Sequence, residues 1–128
     1  MFEWTDFLEV AEELASRDNE ASRRSAISRA YYCAYHRARI LIERDNIWLP
    51  KDGRSHREVW NVLEHQHEPR RTIGEIGRKL FRARLNADYS SENLATPEET
   101  NLAMRFARNI IRQLGREMRA VPSTRYRR

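Results

Sequence analysis

Apolar residues recur at three- and four-residue spacing along most of the chain, and no stretch sustains the two-residue alternation of a strand. Trp4, Phe7, Leu8, Ala11, Leu14 and Ala15 mark one face of a first helix, predicted over about 4–16. Arg17, Asp18 and Asn19 form a polar break, with Asn19 placed to cap a long second helix over about 20–44. Pro50 and the pair Asp52-Gly53 predict a loop over 45–54. Ser55 with Glu58, and Thr72 with Glu75, have capping-box spacing, which predicts helices over about 55–65 and 72–86. Gly74 and Gly77 fall in the first turns of the latter, where they point to a close helix contact. Thr96, Pro97, Glu98 and Glu99 supply a cap, a first-turn proline and acids for the helix dipole. That last helix is expected to reach about residue 121, where Pro122 stops it. The expected fold is all-α, one bundle of about five helices over 1–121, followed by a mobile basic tail at 122–128.

The second helix carries two faces. Ile27, Ala30, Tyr31, Ala34, Ala38, Leu41 and Ile42 make an apolar face that suits the centre of a bundle, and its alanines would let a neighbour approach closely. Opposite them Ser25, Arg29, Tyr32, His36, Arg39 and Glu43 fall within about 40° of one line. Arg29 and His36 are the pair with chemistry in them. Histidine moves a proton near neutral pH, and arginine holds a phosphate and stabilises charge growing on it. Two helical turns put their Cα atoms roughly 10 Å apart. An antiparallel second copy of the helix would bring Arg29 of one protomer toward His36 of the other. A solvated polar stripe with no catalytic part accounts for the same spacing.

Charge sharpens the choice of partner. The chain carries 24 basic and 19 acidic residues, net +5, and only Lys51 and Lys79 of the basic residues are lysines. Residues 101–128 hold eight arginines and one acid, whereas residues 1–100 are slightly acidic. Arg105, Arg108, Arg112, Arg116 and Arg119 share the polar face of the last helix, which suits a nucleic-acid backbone. Seven acids in the first twenty residues offer those arginines a partner within the chain instead. The longest apolar run is six residues, Ala30 to Tyr35, too short to span a bilayer, and the first residues do not read as a secretory signal. A lone cysteine, Cys33, excludes an internal disulfide framework and suggests a reducing, cytoplasmic setting. His56, His65 and His67 lack the spacing of a zinc site, so no metal is expected.

The run Ser25-Ala-Ile-Ser-Arg29-Ala-Tyr-Tyr-Cys-Ala-Tyr-His36 resembles the HEPN domain (higher eukaryotes and prokaryotes nucleotide-binding), marked by an Arg and a His a few residues apart on one long helix. Ser55-His56 and the run Arg84-Leu-Asn-Ala-Asp88-Tyr89 match the short stand-alone prokaryotic members. The resemblance covers about residues 21–121. It implies an antiparallel helical bundle that dimerises, and often a metal-independent endoribonuclease without cofactor. Carried over, His36 would act as acid or base on the 2′-hydroxyl or leaving oxygen, and Arg29 would stabilise the phosphorane, yielding a 2′,3′-cyclic phosphate. Tyr32, Arg39, Arg105, Arg108 and Arg112 are then the expected substrate contacts. The resemblance also implies a toxin or defence effector, with an antitoxin or small nucleotidyltransferase as partner. The alternative is a catalytically silent interaction or nucleotide-binding module paired with such a protein. For Arg84, Asp88 and Tyr89 an intrahelical ion pair beneath the tyrosine is favoured over a place in the cleft, and for Cys33 a structural part over a nucleophilic one.

Overall fold

In the computed structural model, which describes residues 1–120, the helices are α1 (Thr5–Ala15), α2 (Glu20–Arg44), α3 (Ser55–Glu64), α4 (Arg70–Tyr89) and α5 (Pro97–Arg119). Helix α2 packs against all four others, and α5 also packs against α1 and α4. The all-α bundle is therefore as expected. The tail expected at 122–128 lies outside the described residues.

Two helix starts follow local capping chemistry. Asn19 accepts a bond from the Ser22 amide at 2.8 Å, and Thr96 accepts from the Glu99 amide at 3.1 Å with Pro97 in the first turn. The starts of α3 and α4 depart from the capping-box expectation. Arg54 precedes α3 with no side-chain cap, because the Ser55 hydroxyl is buried against the Tyr35 hydroxyl at 2.5 Å and is spent on tertiary structure. Helix α4 begins two residues before Thr72, whose amide and hydroxyl both bond Glu68 Oε2. Arg70 can open that helix because its guanidinium is buried against Asp45 at 2.6 Å and Glu117 at 2.8 Å.

Ala26, Ala30, Ala34 and Ala38 are fully buried, so neighbouring helices lie close to the α2 backbone. Tyr31, Leu41 and Ile42 fill the space beyond. Gly74 and Gly77 do mark a close contact. A β-carbon on Gly77 would overlap the Trp60 ring, and one on Gly74 would sit 2.7–2.8 Å from the Glu64 amide and the Trp60 carbonyl. The helix-propensity cost of glycine, about 1 kcal/mol each, is offset by burying Trp60.

Several arginines hold helix ends rather than partners. Arg24 donates to the carbonyls of Asn86, Ala87, Ser90 and Asn93 at the end of α4, and Arg44 to those of Glu117, Met118 and Ala120 at the end of α5. Such bonds satisfy carbonyls that the helix leaves open. No helix among the described residues is long and apolar enough to cross a membrane.

Candidate active site

Helix α1 crosses the polar stripe of α2 and decides how it is exposed. Trp4 lies flat on the His36 ring, centroids 3.6 Å apart and planes 10° apart. Phe2 and Phe7 pack edge-on against Trp4. Arg29 is exposed, with its guanidinium carbon 5.6 Å from the Phe7 ring centre. Trp4, Tyr32 and His36 form a wall shared by two open grooves. One, about 520 Å³, is lined by Arg29, Ser25, Ser28, Phe7 and Asp88. The other, about 610 Å³, is lined by Tyr35, Arg39, Lys51, Asp52, Ser55 and His56. Arg29 and His36 thus share one groove, and His36 reaches both.

Burial and nearby cations disfavour the charged form of both site histidines. Burial holds the His36 imidazole below its usual pKa, and the Arg39 charge adds to the effect. His56 is pushed down to about 4, chiefly by burial and then by Arg84, His36 and Arg39. Arg39 donates to the Tyr35 hydroxyl at 3.0 Å and to Glu43 at 3.0 Å, so part of its charge is answered within the protein. Arg84 is buried and donates to the Tyr32 hydroxyl at 2.5 Å. Its Nε lies 2.9 Å from Asp88 Oδ2 without hydrogen-bond alignment, and that oxygen accepts from Ser28 at 3.1 Å. Tyr89 covers the same guanidinium, 5.6 Å from its ring centre. The ion pair beneath the tyrosine is present, and it also braces a wall of the cleft.

The α5 arginines stand apart. Arg105, Arg108 and Arg112 are exposed, line neither groove, and Arg108 pairs with Glu12 of α1 at 2.9 Å. Cys33 is buried, and burial pushes its thiol up to about 11, which removes nucleophilic character at neutral pH. Among the described residues no three His, Cys, Asp or Glu side chains gather as metal ligands. His65 donates instead to the Asn61 carbonyl at 2.8 Å.

The structure adds Trp4, Tyr35, Ser55 and His56 to the site. Trp4 carried no local signal, since its place over His36 depends on where α1 lands. His56 appeared only in the resemblance and as a poor zinc candidate. Its stacking on Tyr35, centroids 4.2 Å apart, needs the loop 45–54 to turn the chain back along α2.

No curated protein and no solved structure matches this chain significantly. The family model described as "HEPN domain" matches residues 5–117, which takes in α1 to α4, nearly all of α5 and every groove residue named above except Trp4, so the chain belongs to the HEPN domain family.

Proposed function

We propose that this chain is a metal-independent endoribonuclease, with Arg29 and His36 as its working pair. Family membership supports a nucleotide- or RNA-related role, because HEPN domains often bind RNA, dimerise and have ribonuclease activity. The observation that carries the finer reading is the shared groove: Arg29 and His36 line it together, and burial lowers the His36 pKa, which favours the neutral imidazole. A neutral imidazole accepts the proton of a ribose 2′-hydroxyl as its oxygen attacks phosphorus. Arg29 stabilises the charge gathering on the phosphorane oxygens. The bond from phosphorus to the 5′-oxygen then breaks, that oxygen takes a proton from an imidazolium, and a 2′,3′-cyclic phosphate remains. A dimer that brings Arg29 of one protomer toward His36 of the other would tighten this arrangement. Tyr32 and Arg39 contact the chain of nucleotides beside the reacting phosphate, and Arg105, Arg108 and Arg112 meet its backbone farther away. The biological setting we assign is a cytoplasmic toxin or defence effector, restrained by an antitoxin or nucleotidyltransferase.

Purified protein is expected to cleave RNA in EDTA. His36→Ala and Arg29→Ala are expected to fold normally and lose cleavage by at least about 100-fold. Undiminished cleavage by both variants overturns the proposal.

One observation favours a second reading, a silent interaction module. Trp4 covers a face of His36, and Arg29 leans on Phe7, so the chain's own aromatics engage both residues. That reading predicts a stable complex with a cognate protein and no cleavage of any RNA.

A further inference from the structure

In the larger groove, the proton of His56 can be assigned from its hydrogen bonds. Tyr31 is fully buried, and its hydroxyl meets Trp60 Nε1 at 3.2 Å and His56 Nδ1 at 2.9 Å. An indole N–H only donates, so the hydroxyl accepts from Trp60. Were it also to accept from His56, its own proton would be buried with no partner, a desolvation cost with nothing to offset it. All three groups are satisfied when Tyr31 donates to Nδ1. His56 is then neutral and carries its one proton on Nε2.

The surroundings keep it so. The ring is stacked on Tyr35 and lies parallel to Phe81, with planes 9° apart. The charges bearing on it are cationic: Arg84 of α4 with Arg39 and, when protonated, His36 of α2. Lys51 lines the same groove, with Asp52 and Glu43 as its acids. No protein acceptor among the described residues takes a bond from His56 Nε2. A second imidazolium would be repelled here, whereas an uncharged N–H adds a donor without adding charge.

We infer that His56 presents its Nε2 proton to the groove as a fixed, uncharged hydrogen-bond donor for a phosphate oxygen of bound RNA, beside Arg39 and His36. This assignment rests on the ribonuclease reading of the same site. An anionic oxygen is the acceptor that fits, since Arg39, Lys51 and His56 are all donors and Arg39 and Lys51 are cations.

Two measurements on the full chain test it. Long-range ¹H–¹⁵N spectra of the histidine side chains are expected to show His56 as the neutral Nε2–H tautomer from pH 8 down to pH 5.5. The Nδ1–H tautomer, or an imidazolium at pH 5.5, overturns the assignment. Binding of a 2′-O-methyl RNA hexanucleotide, which cannot be cleaved, is expected to weaken about 10-fold or more in His56→Phe. His56→Gln, which restores a neutral N–H, is expected to recover much of that loss. Should His56→Phe fail to fold, Tyr31→Phe supplies the second variant: it removes the donor to Nδ1, so tautomer purity and probe affinity should fall together. Wild-type binding matched by a folded His56→Phe overturns the phosphate donor and leaves the ribonuclease proposal standing. A wild-type chain that neither binds nor cleaves RNA overturns the ribonuclease proposal, and the phosphate assignment falls with it.

Discussion

Trp4 and His36 are stacked at 3.6 Å, so the first residue before α1 sets the environment of the imidazole two thirds of the way along α2. Burial is the main cause of the lowered His36 pKa. Trp4→Ala exposes the ring and is expected to raise that pKa toward the ordinary value near 6.5. The acid limb of any cleavage–pH profile should move up with it. Titration of the His36 ring protons by NMR checks this, and an unchanged midpoint would show that the indole is not what shields the ring.

Acid should destabilise the fold through both site histidines. His36 and His56 have lower pKa values folded than unfolded, so the unfolded chain takes up protons first as pH drops. Their contribution is whole above about pH 6.5 and is lost as pH falls toward about 4, the value for His56. Urea midpoints measured from pH 7.5 to 4 should decline across that window. His56→Phe should flatten the decline even where its absolute stability is lower.

Gly77→Ala should destabilise despite the better helix propensity of alanine. The added methyl meets the Trp60 ring, and a packed indole moves only with its neighbours. A loss of about 1–3 kcal/mol is expected from chemical denaturation. Gly115→Ala, with only the tip of Arg119 at 3.5 Å, should instead be neutral or slightly stabilising.

The arginines should separate into two classes. Arg44→Ala strips the bonds that hold the end of α5 and is expected to cost about 1–3 kcal/mol, with little effect on RNA affinity. Arg108→Ala breaks an exposed pair with Glu12 and should change stability by less than about 1 kcal/mol. If α5 follows a nucleic-acid backbone, each of Arg105, Arg108 and Arg112 replaced by alanine should lower the salt slope of RNA binding by about one. Unchanged slopes in all three would assign the stripe to the protein's own surface.

Much of the fold was legible because helix signals act over a few residues. The apolar spacing of α2, the Asn19 and Thr96 caps and the Pro97 start depend on neighbours within one turn, and each appears where the pattern placed it. Ser55 and Thr72 have the same capping spacing and do not cap, because both lie inside their helices: Ser55 is buried against Tyr35 as the first residue of α3, and α4 starts two residues before Thr72. The Arg84–Asp88 pair was legible at i,i+4 spacing. The bond from Arg84 to Tyr32, fifty-two residues apart, was not.

The sequence by itself determined that Arg29 and His36 share one face of one long helix, since 3.6 residues per turn allows nothing else. It also determined an arginine surplus, but not its use. Tertiary packing decided that Arg24, Arg44 and Arg70 serve helix ends and a buried pair, while Arg105 and Arg112 remain exposed. Packing alone also brought Trp4 onto His36 and put His56 in the same groove as His36. Those placements bring together residues 20–32 positions apart, and they exist only once buried alanines let the helices close on α2. Periodicity is a property of the backbone and can be read along the chain. The pKa values and free protons of a site depend on what excludes water from it, and that is settled only when distant helices meet.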